Sequence, residues 1–240
     1  MIKAKYLNAG DTALVMEFGN TIDPNINATV KKVYSIIKNT SIHGIVGVVP
    51  TFRSILVNYR PELISHKKLI KILKSCEKLE QSSNDARRRV VYIPVLYGGE
   101  WGEDIADVAA HTGLKIDEII NIHSQEEYLI YMLGFLPGFA YLGGMDKRLI
   151  TPRLKNPRTR IPQGAVGIGG EQTGIYPSAS PGGWRLIGRT PIKPYDLERD
   201  EPFLYAAGDY IKFESVSLEE YLRIEKAVKE GNYLCREEVF

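Results

Sequence analysis

The chain has 240 residues, 44% of them apolar and 25% charged, with a formal net charge of +2. That is a globular composition, sufficient for one large domain or two modest ones. A charge so near zero argues against a general nucleic-acid binder, which carries a wide basic face. No apolar run is long enough to span a bilayer, and the start, MIKAKYLNAGDTALVMEFGN, lacks a signal-peptide core. Cys76 and Cys235 show no CxxC spacing, so a cytoplasmic chain with reduced thiols is expected. His43, His66, His111 and His123 have no metal-ligand spacing, and no metal site is expected.

Taken in chain order, Tyr6–Leu7 and Ala13–Phe18 read as two short strands around the Asn8–Asp11 turn. Asp23 before Pro24 is an N-cap with proline at the first helical position. Ile26, Val30, Val33 and Ile37 then recur at helical spacing to about Asn39. Gly44–Val49 and Arg53–Tyr59 are β-branched runs separated by Pro50-Thr51, a hairpin signal. Ser65 caps a second predicted helix carrying Leu69, Leu73, Cys76 and Leu79 on one face, where Cys76 reads as a small core residue. This ββαββα order predicts a small α+β domain over 1–82.

Residues 81–89, QSSNDARRR, contain one alanine and no larger apolar side chain, and read as a linker; the three arginines also admit an anion patch. A second domain is expected over 90–240. It opens with a strand at Val90–Val95, a helix at Glu103–Thr112 closed by Gly113, and a helix carrying Ile116, Ile119, Ile120 and His123 on one face. From Tyr128 short strands separated by Gly/Pro turns replace the helical period, the pattern of a β-barrel or sandwich. Leu218–Lys229 returns to it, with Tyr221, Leu222, Ile224 and Val228 as an apolar face for the barrel or, less favoured, for a partner.

The stretch from Gly134 to Thr190 concentrates the chemistry. It holds 12 of the 22 glycines, interleaved with Phe135, Phe139, Tyr141, Tyr176 and Trp184 and with Arg153, Arg158, Arg160, Arg185 and Arg189. Glycine permits tight corners or close approach of backbone to a neighbour, aromatic rings can wall a pocket, and guanidinium groups can fix an anion in it. The GIGGEQTG run (167–174) is not a phosphate loop: Glu171 and Gln172 follow Gly170 where Lys and Ser or Thr are needed. Six cations and no acid lie between Lys147 and Arg160, either a local positive field or a solvated loop. His123, near a helix C-terminus that favours its protonated form, is either an acid–base group or a core histidine satisfying a buried acceptor.

His123-x4-Tyr128, GFLPGFAYLGG (134–144), IPQGAVGIGGEQTGIYP (161–177) and PGGWRLIGRT (181–190) resemble the carboxyltransferase C and D subdomain family. Its members include the B subunit of 5-oxoprolinase, the bacterial sporulation-kinase inhibitor KipI and parts of allophanate hydrolase and urea carboxylase. The resemblance is dense over about 120–190 and looser elsewhere. It implies a small α+β domain followed by a cyclophilin-like β-barrel, so an α+β chain overall.

By the same resemblance the chain is the B subunit of an ATP-dependent 5-oxoprolinase, an amidohydrolase acting on a cyclic amide. It would work with a homologous barrel protein (the C subunit) and a third protein (the A subunit), using ATP as a complex and holding no cofactor itself. The alternatives are inhibition of a sensor histidine kinase and, ranked lower, a role in a biotin-dependent urea or amide carboxylase or allophanate hydrolase. No Met-Lys pair is present to carry biotin, which points to a free-standing subunit. The implied roles are His123 and Arg160 in catalysis, Phe135, Pro137, Phe139 and Tyr141 as pocket wall, Arg158 with Arg160 as anion clamp, and Gln172 and Tyr176 as polar contacts.

Overall fold

In the computed structural model, which describes residues 2–21, 23–79 and 88–240, the described chain forms two units divided between residues 79 and 88. Most of the expected linker lies outside the described residues. Arg88 and Arg89 lie inside them, and neither is a free anion patch: Arg88 pairs with Glu127, and Arg89 with Asp209 and Glu237.

The first unit runs β1 (Lys5–Asn8), β2 (Ala13–Glu17), α1 (Pro24–Thr40), β3 (Ile45–Pro50), β4 (Ser54–Tyr59) and α2 (His66–Lys78). Its antiparallel sheet has the order β1-β2-β4-β3. Asp23 caps α1 by accepting from the amides of Asn25 (2.7 Å) and Ile26 (3.1 Å), satisfying two donors that the first turn leaves open. Val30, Val33, Ile36 and Ile37 on α1 and Leu69, Leu73 and Cys76 on α2 bury against Leu14, Met16, Ile55 and Val57. Leu79, expected on that apolar face, is the extended C-cap residue of α2 and is half exposed.

The second unit is built on β5 (Arg89–Tyr97), followed by α3 (Ile105–Thr112), α4 (Ile116–Gln125), β6 (Glu127–Leu133), β7 (Ala140–Gly143), β8 (Arg158–Ile161), β9 (Ala165–Gly169), β10 (Gln172–Ile175), β11 (Ser180–Gly182), β12 (Arg185–Arg189), β13 (Tyr210–Ser215), α5 (Leu218–Lys229) and β14 (Glu237–Val239). The main sheet has the order β10-β9-β12-β5-β13-β6-β7, with β14 added to β5, and β8 pairs separately with β11. The two ends of the main sheet, β10 and β7, lie against each other and nearly close a barrel. Val91, Ile93, Ile130, Ile168, Ile187, Ile211 and Phe213 fill its interior. Leu218–Lys229 is helical as its spacing predicts and seats Tyr221 and Ile224 in the core, while Leu222 faces out.

The GIGGEQTG run is a hairpin. Gly169 pairs with Gln172 across the two-residue loop Gly170–Glu171, and Gly170 has φ +68°. Glycine at the first central position is what the II′ turn of a two-residue hairpin requires. The glycines at 167, 169 and 174 serve packing. A Cβ at Gly169 would sit 2.3 Å from the Trp184 indole, one at Gly174 3.1 Å from it, and one at Gly167 3.3 Å from the Trp184 Cβ. Backbone on β9 and β10 thus closes on the largest side chain of the region.

Candidate functional site

Trp184, so enclosed, belongs to a small second cluster in the barrel unit together with Phe139, Ile161, Ala165, Tyr176 and Leu186. Phe139 is its hub, with ring centroids 5.5 Å from Phe135, 5.2 Å from Tyr141, 5.6 Å from Tyr176 and 5.6 Å from Trp184. Three of these four contacts are edge-to-face or nearly so, the arrangement ring quadrupoles favour. The rings open on a cleft of about 110 Å³ lined by Phe135, Phe139, Tyr141, Arg153, Tyr176, Trp184 and the Pro181-Gly182-Gly183 turn. Gly182 keeps the turn close to the rings: a Cβ there would lie 2.5 Å from the Tyr176 hydroxyl. Phe135 stands at the mouth, 64% exposed, in the left-handed backbone region at φ +68°. A non-glycine residue held there is strained, and such strain gathers at ligand-binding positions.

The cleft has one charged residue, Arg153, whose guanidinium lies 5.8 Å from the Trp184 ring. No ion pair engages it among the described residues. Burial raises the Tyr176 hydroxyl pKa, so its proton is retained for donation.

Of the expected site residues, Phe135, Phe139, Tyr141 and Tyr176 come together on this cleft. Pro137 is exposed on the same loop, and Gln172 is partly buried at the start of β10; neither is among the lining residues. Arg160 is exposed on β8 and also does not line it. Arg158 is already engaged, with its Nη2 2.8 Å from the buried Asp104 carboxylate and its Nε 3.1 Å from Glu103. Its charge is neutralised locally, so it does not act as a free anion clamp. Arg153 and Trp184, with the Pro181-Gly182-Gly183 turn, are the lining residues absent from the expected set. Arg153 and Trp184 were both present in the aromatic–arginine pattern, but nothing local separates Arg153 from its neighbours.

His123 departs furthest from expectation. It is fully buried, stacked on Phe213 at 4.5 Å between centroids, and both ring nitrogens are occupied. Nδ1 lies 2.7 Å from the Tyr97 hydroxyl and Nε2 2.7 Å from Thr173 Oγ1. The Thr173 hydroxyl donates to the Gly167 carbonyl at 3.0 Å, so its oxygen accepts from Nε2–H. Nδ1 is then the acceptor from Tyr97, which assigns the neutral Nε2–H tautomer. Burial lowers the pKa to about 3, against the protonation that the helix terminus favours. Desolvation of a core cation outweighs a terminal dipole. Tyr128 Oη donates to the His123 carbonyl at 2.9 Å, which explains the spacing of these two residues. The ring exposes no atom to a ligand. Its bonds join α4, β5 and the β9–β10 hairpin.

A larger cavity of about 530 Å³ lies elsewhere on the barrel unit, lined by Ile192, Phe203, Val228, Tyr233, Arg89 and Lys193 among others. Arg89 there is paired with Glu237 and Lys193 with Asp196, so these charges are spent on one another. Cys235 lines it, with its thiol pKa pushed up to about 12 by burial, so it is no nucleophile at neutral pH. Among the described residues no cluster of His, Cys, Asp and Glu is suited to a metal ion. No described helix is long and apolar enough to cross a membrane.

The family model for the carboxyltransferase domain, subdomain C and D, matches residues 4–205. The chain belongs to that family. It is 40% identical over 223 residues to the B subunit of 5-oxoprolinase from Bacillus subtilis, covering 88% of this chain and 92% of the relative. It is 39% identical over 216 residues to the protein of the same name from Escherichia coli O157:H7, covering 89% and 96%. The urea amidolyase of K. lactis shares the fold, with a TM-score of 0.83 over 99% of this chain and 16% of that one, at 24% identity.

Proposed function

We propose that this chain is the B subunit of an ATP-dependent 5-oxoprolinase, opening 5-oxo-L-proline to L-glutamate together with the A and C subunits. The Bacillus subtilis and Escherichia coli proteins bearing that name are matched over 92% and 96% of their length, which supports the reading as one component of such a complex. The observation that carries the reading is an aromatic cleft whose single charge is an arginine with no ion pair among the described residues. It suits a small, flat, anionic molecule. A lactam carbonyl is a poor electrophile because the nitrogen lone pair is delocalised onto it. Phosphorylation of the amide oxygen by ATP would give an imidate open to attack by water. The complex must then orient the ring, stabilise developing charge and exclude stray water.

In this reading the aromatic wall orients and shields the ring. Arg160 on exposed β8 is placed to act toward a partner protein, and His123 acts from the core by holding the β9–β10 hairpin under Trp184. The test is reconstitution of the chain with the products of neighbouring genes and measurement of glutamate release dependent on both ATP and 5-oxoproline. Release that disappears when this chain is omitted is the expected result. No release from the full set overturns the assignment. His123→Ala and Arg160→Ala, assayed separately in the active complex, test the two roles, and unchanged turnover in both removes them.

A further inference from the structure

Two hydrogen-bond donors that line the cleft, Arg153 and the Tyr176 hydroxyl, are uncommitted among the described residues. Arg153 has no carboxylate partner among the described residues, although Arg158, five positions on, is held by two. Burial keeps the Tyr176 hydroxyl protonated, and the positive charge of Arg153 reaches the same hydroxyl. The Gly182-Gly183 turn leaves open the space beside Tyr176, since a Cβ at Gly182 would lie 2.5 Å from its hydroxyl. No acid lines the cleft. A guanidinium lying near an indole ring is held in place while keeping N–H groups free at its edge.

We propose that Arg153, assisted by the Tyr176 hydroxyl, is the carboxylate anchor of the cleft, and that it makes the site select a small cyclic amide bearing one carboxylate over a neutral amide. This inference rests on the oxoprolinase reading for the identity of the amide. The recognition itself follows from the donors. A fork of N–H groups matches the two oxygens of a carboxylate, and a tyrosine proton adds a third bond to the same group. The ring of the ligand then lies among Phe139, Tyr141 and Trp184, where a neutral amide of the same shape gains the same contact. Discrimination therefore sits at Arg153 and not in the aromatic wall.

The experiment compares 5-oxoproline with 2-pyrrolidinone, the same lactam without the carboxylate, by calorimetric titration of the full chain and by kinetics of the reconstituted complex. Arg153→Gln should weaken 5-oxoproline by about 10- to 100-fold, the range for losing a hydrogen-bonded charge. Arg153→Lys should recover part of the loss, since it restores a point charge without the fork. Tyr176→Phe should lose about 3- to 10-fold, the range for a single neutral hydrogen bond. Binding of 2-pyrrolidinone should move by less than about twofold in all three, because its contacts are apolar. In the complex, KM for 5-oxoproline should rise with kcat and KM for ATP little changed, the pattern of lost uniform binding.

Equal losses for both lactams, or none for 5-oxoproline, overturn the anchor while leaving the oxoprolinase reading in place. If the wild-type complex does not turn over 5-oxoproline, that reading fails and acetate, L-proline and succinamate become the probes. A carboxylate bound by the wild type and lost in Arg153→Gln upholds the anchor, and no carboxylate bound by the wild type overturns it. Arg153 is exposed and makes no ion pair among the described residues, so a thermal melt of Arg153→Gln matching the wild type certifies the comparison.

Discussion

The barrel unit contains two aromatic–polar clusters that share the β9–β10 hairpin and treat their hydrogen bonds in opposite ways. In the His123 cluster every polar atom is used: Tyr97 donates to Nδ1, Nε2–H donates to Thr173, and Thr173 donates to Gly167. In the cleft, Arg153 and the Tyr176 proton have no partner of their own among the described residues. A buried network that satisfies itself rigidifies a fold and has nothing left for a ligand. Donors left uncommitted beside an open cavity are what recognition requires. The histidine, which invites a catalytic reading by residue type, therefore serves architecture, and the less conspicuous arginine faces the solvent-filled space.

Four measurements can break or sharpen this contrast. Trp184→Ala removes the ring that the glycines enclose, and should cost about 3–5 kcal/mol in denaturant unfolding, as large-to-small core changes do. A smaller loss would mean that β9 and β10 collapse into the space. Thr173→Val keeps the shape but strands the His123 Nε2–H, with an expected loss of about 1–3 kcal/mol. Wild-type stability in Thr173→Val would show that the network is not closed as assigned.

The third measurement is stability against pH. The pKa of His123 is about 3 in the fold and near 6.5 when unfolded, so between these values only the unfolded chain binds the proton. Stability should fall on acidification from pH 6.5 toward 3, by at most about 1.4 kcal/mol per pH unit from this group. That component should vanish in His123→Gln, and an unchanged slope would refute the neutral buried ring. The smallest effect is expected for Arg160→Ala, an exposed change that should shift stability by less than about 0.5 kcal/mol. A large shift there would reveal a structural contact of β8.

The degree to which these regions were legible beforehand follows the range of the interactions. Asp23-Pro24 marked the start of α1 because a cap and a fixed φ are local properties, and the spacing of Val30, Val33 and Ile37 marked its buried face. The hairpin turn at Gly170 was not marked, although glycine suits the left-handed backbone there. The aromatic wall was recognisable as a set, because Phe135, Phe139 and Tyr141 share one loop and strand and Tyr176 and Trp184 flank the next turn. The assignment of the cations was not. Arg153 and Arg158 are near neighbours in one basic run, yet Asp104, 54 positions away, occupies only the second.

What the order of residues decided without help was the ββαββα unit, the change to short strands after Tyr128, and the supply of rings and guanidinium groups between 134 and 190. These depend on periodicity and backbone freedom, which act over a few residues. Which groups are satisfied and which are free was decided only by the packed chain. His123 lost its proton and its exposure to Tyr97 and Thr173, 26 and 50 positions distant, while Arg153 kept its charge uncommitted because no carboxylate among the described residues folds against it. Burial and pairing are set by neighbours brought from far along the chain, and they settle the chemistry that residue type leaves open.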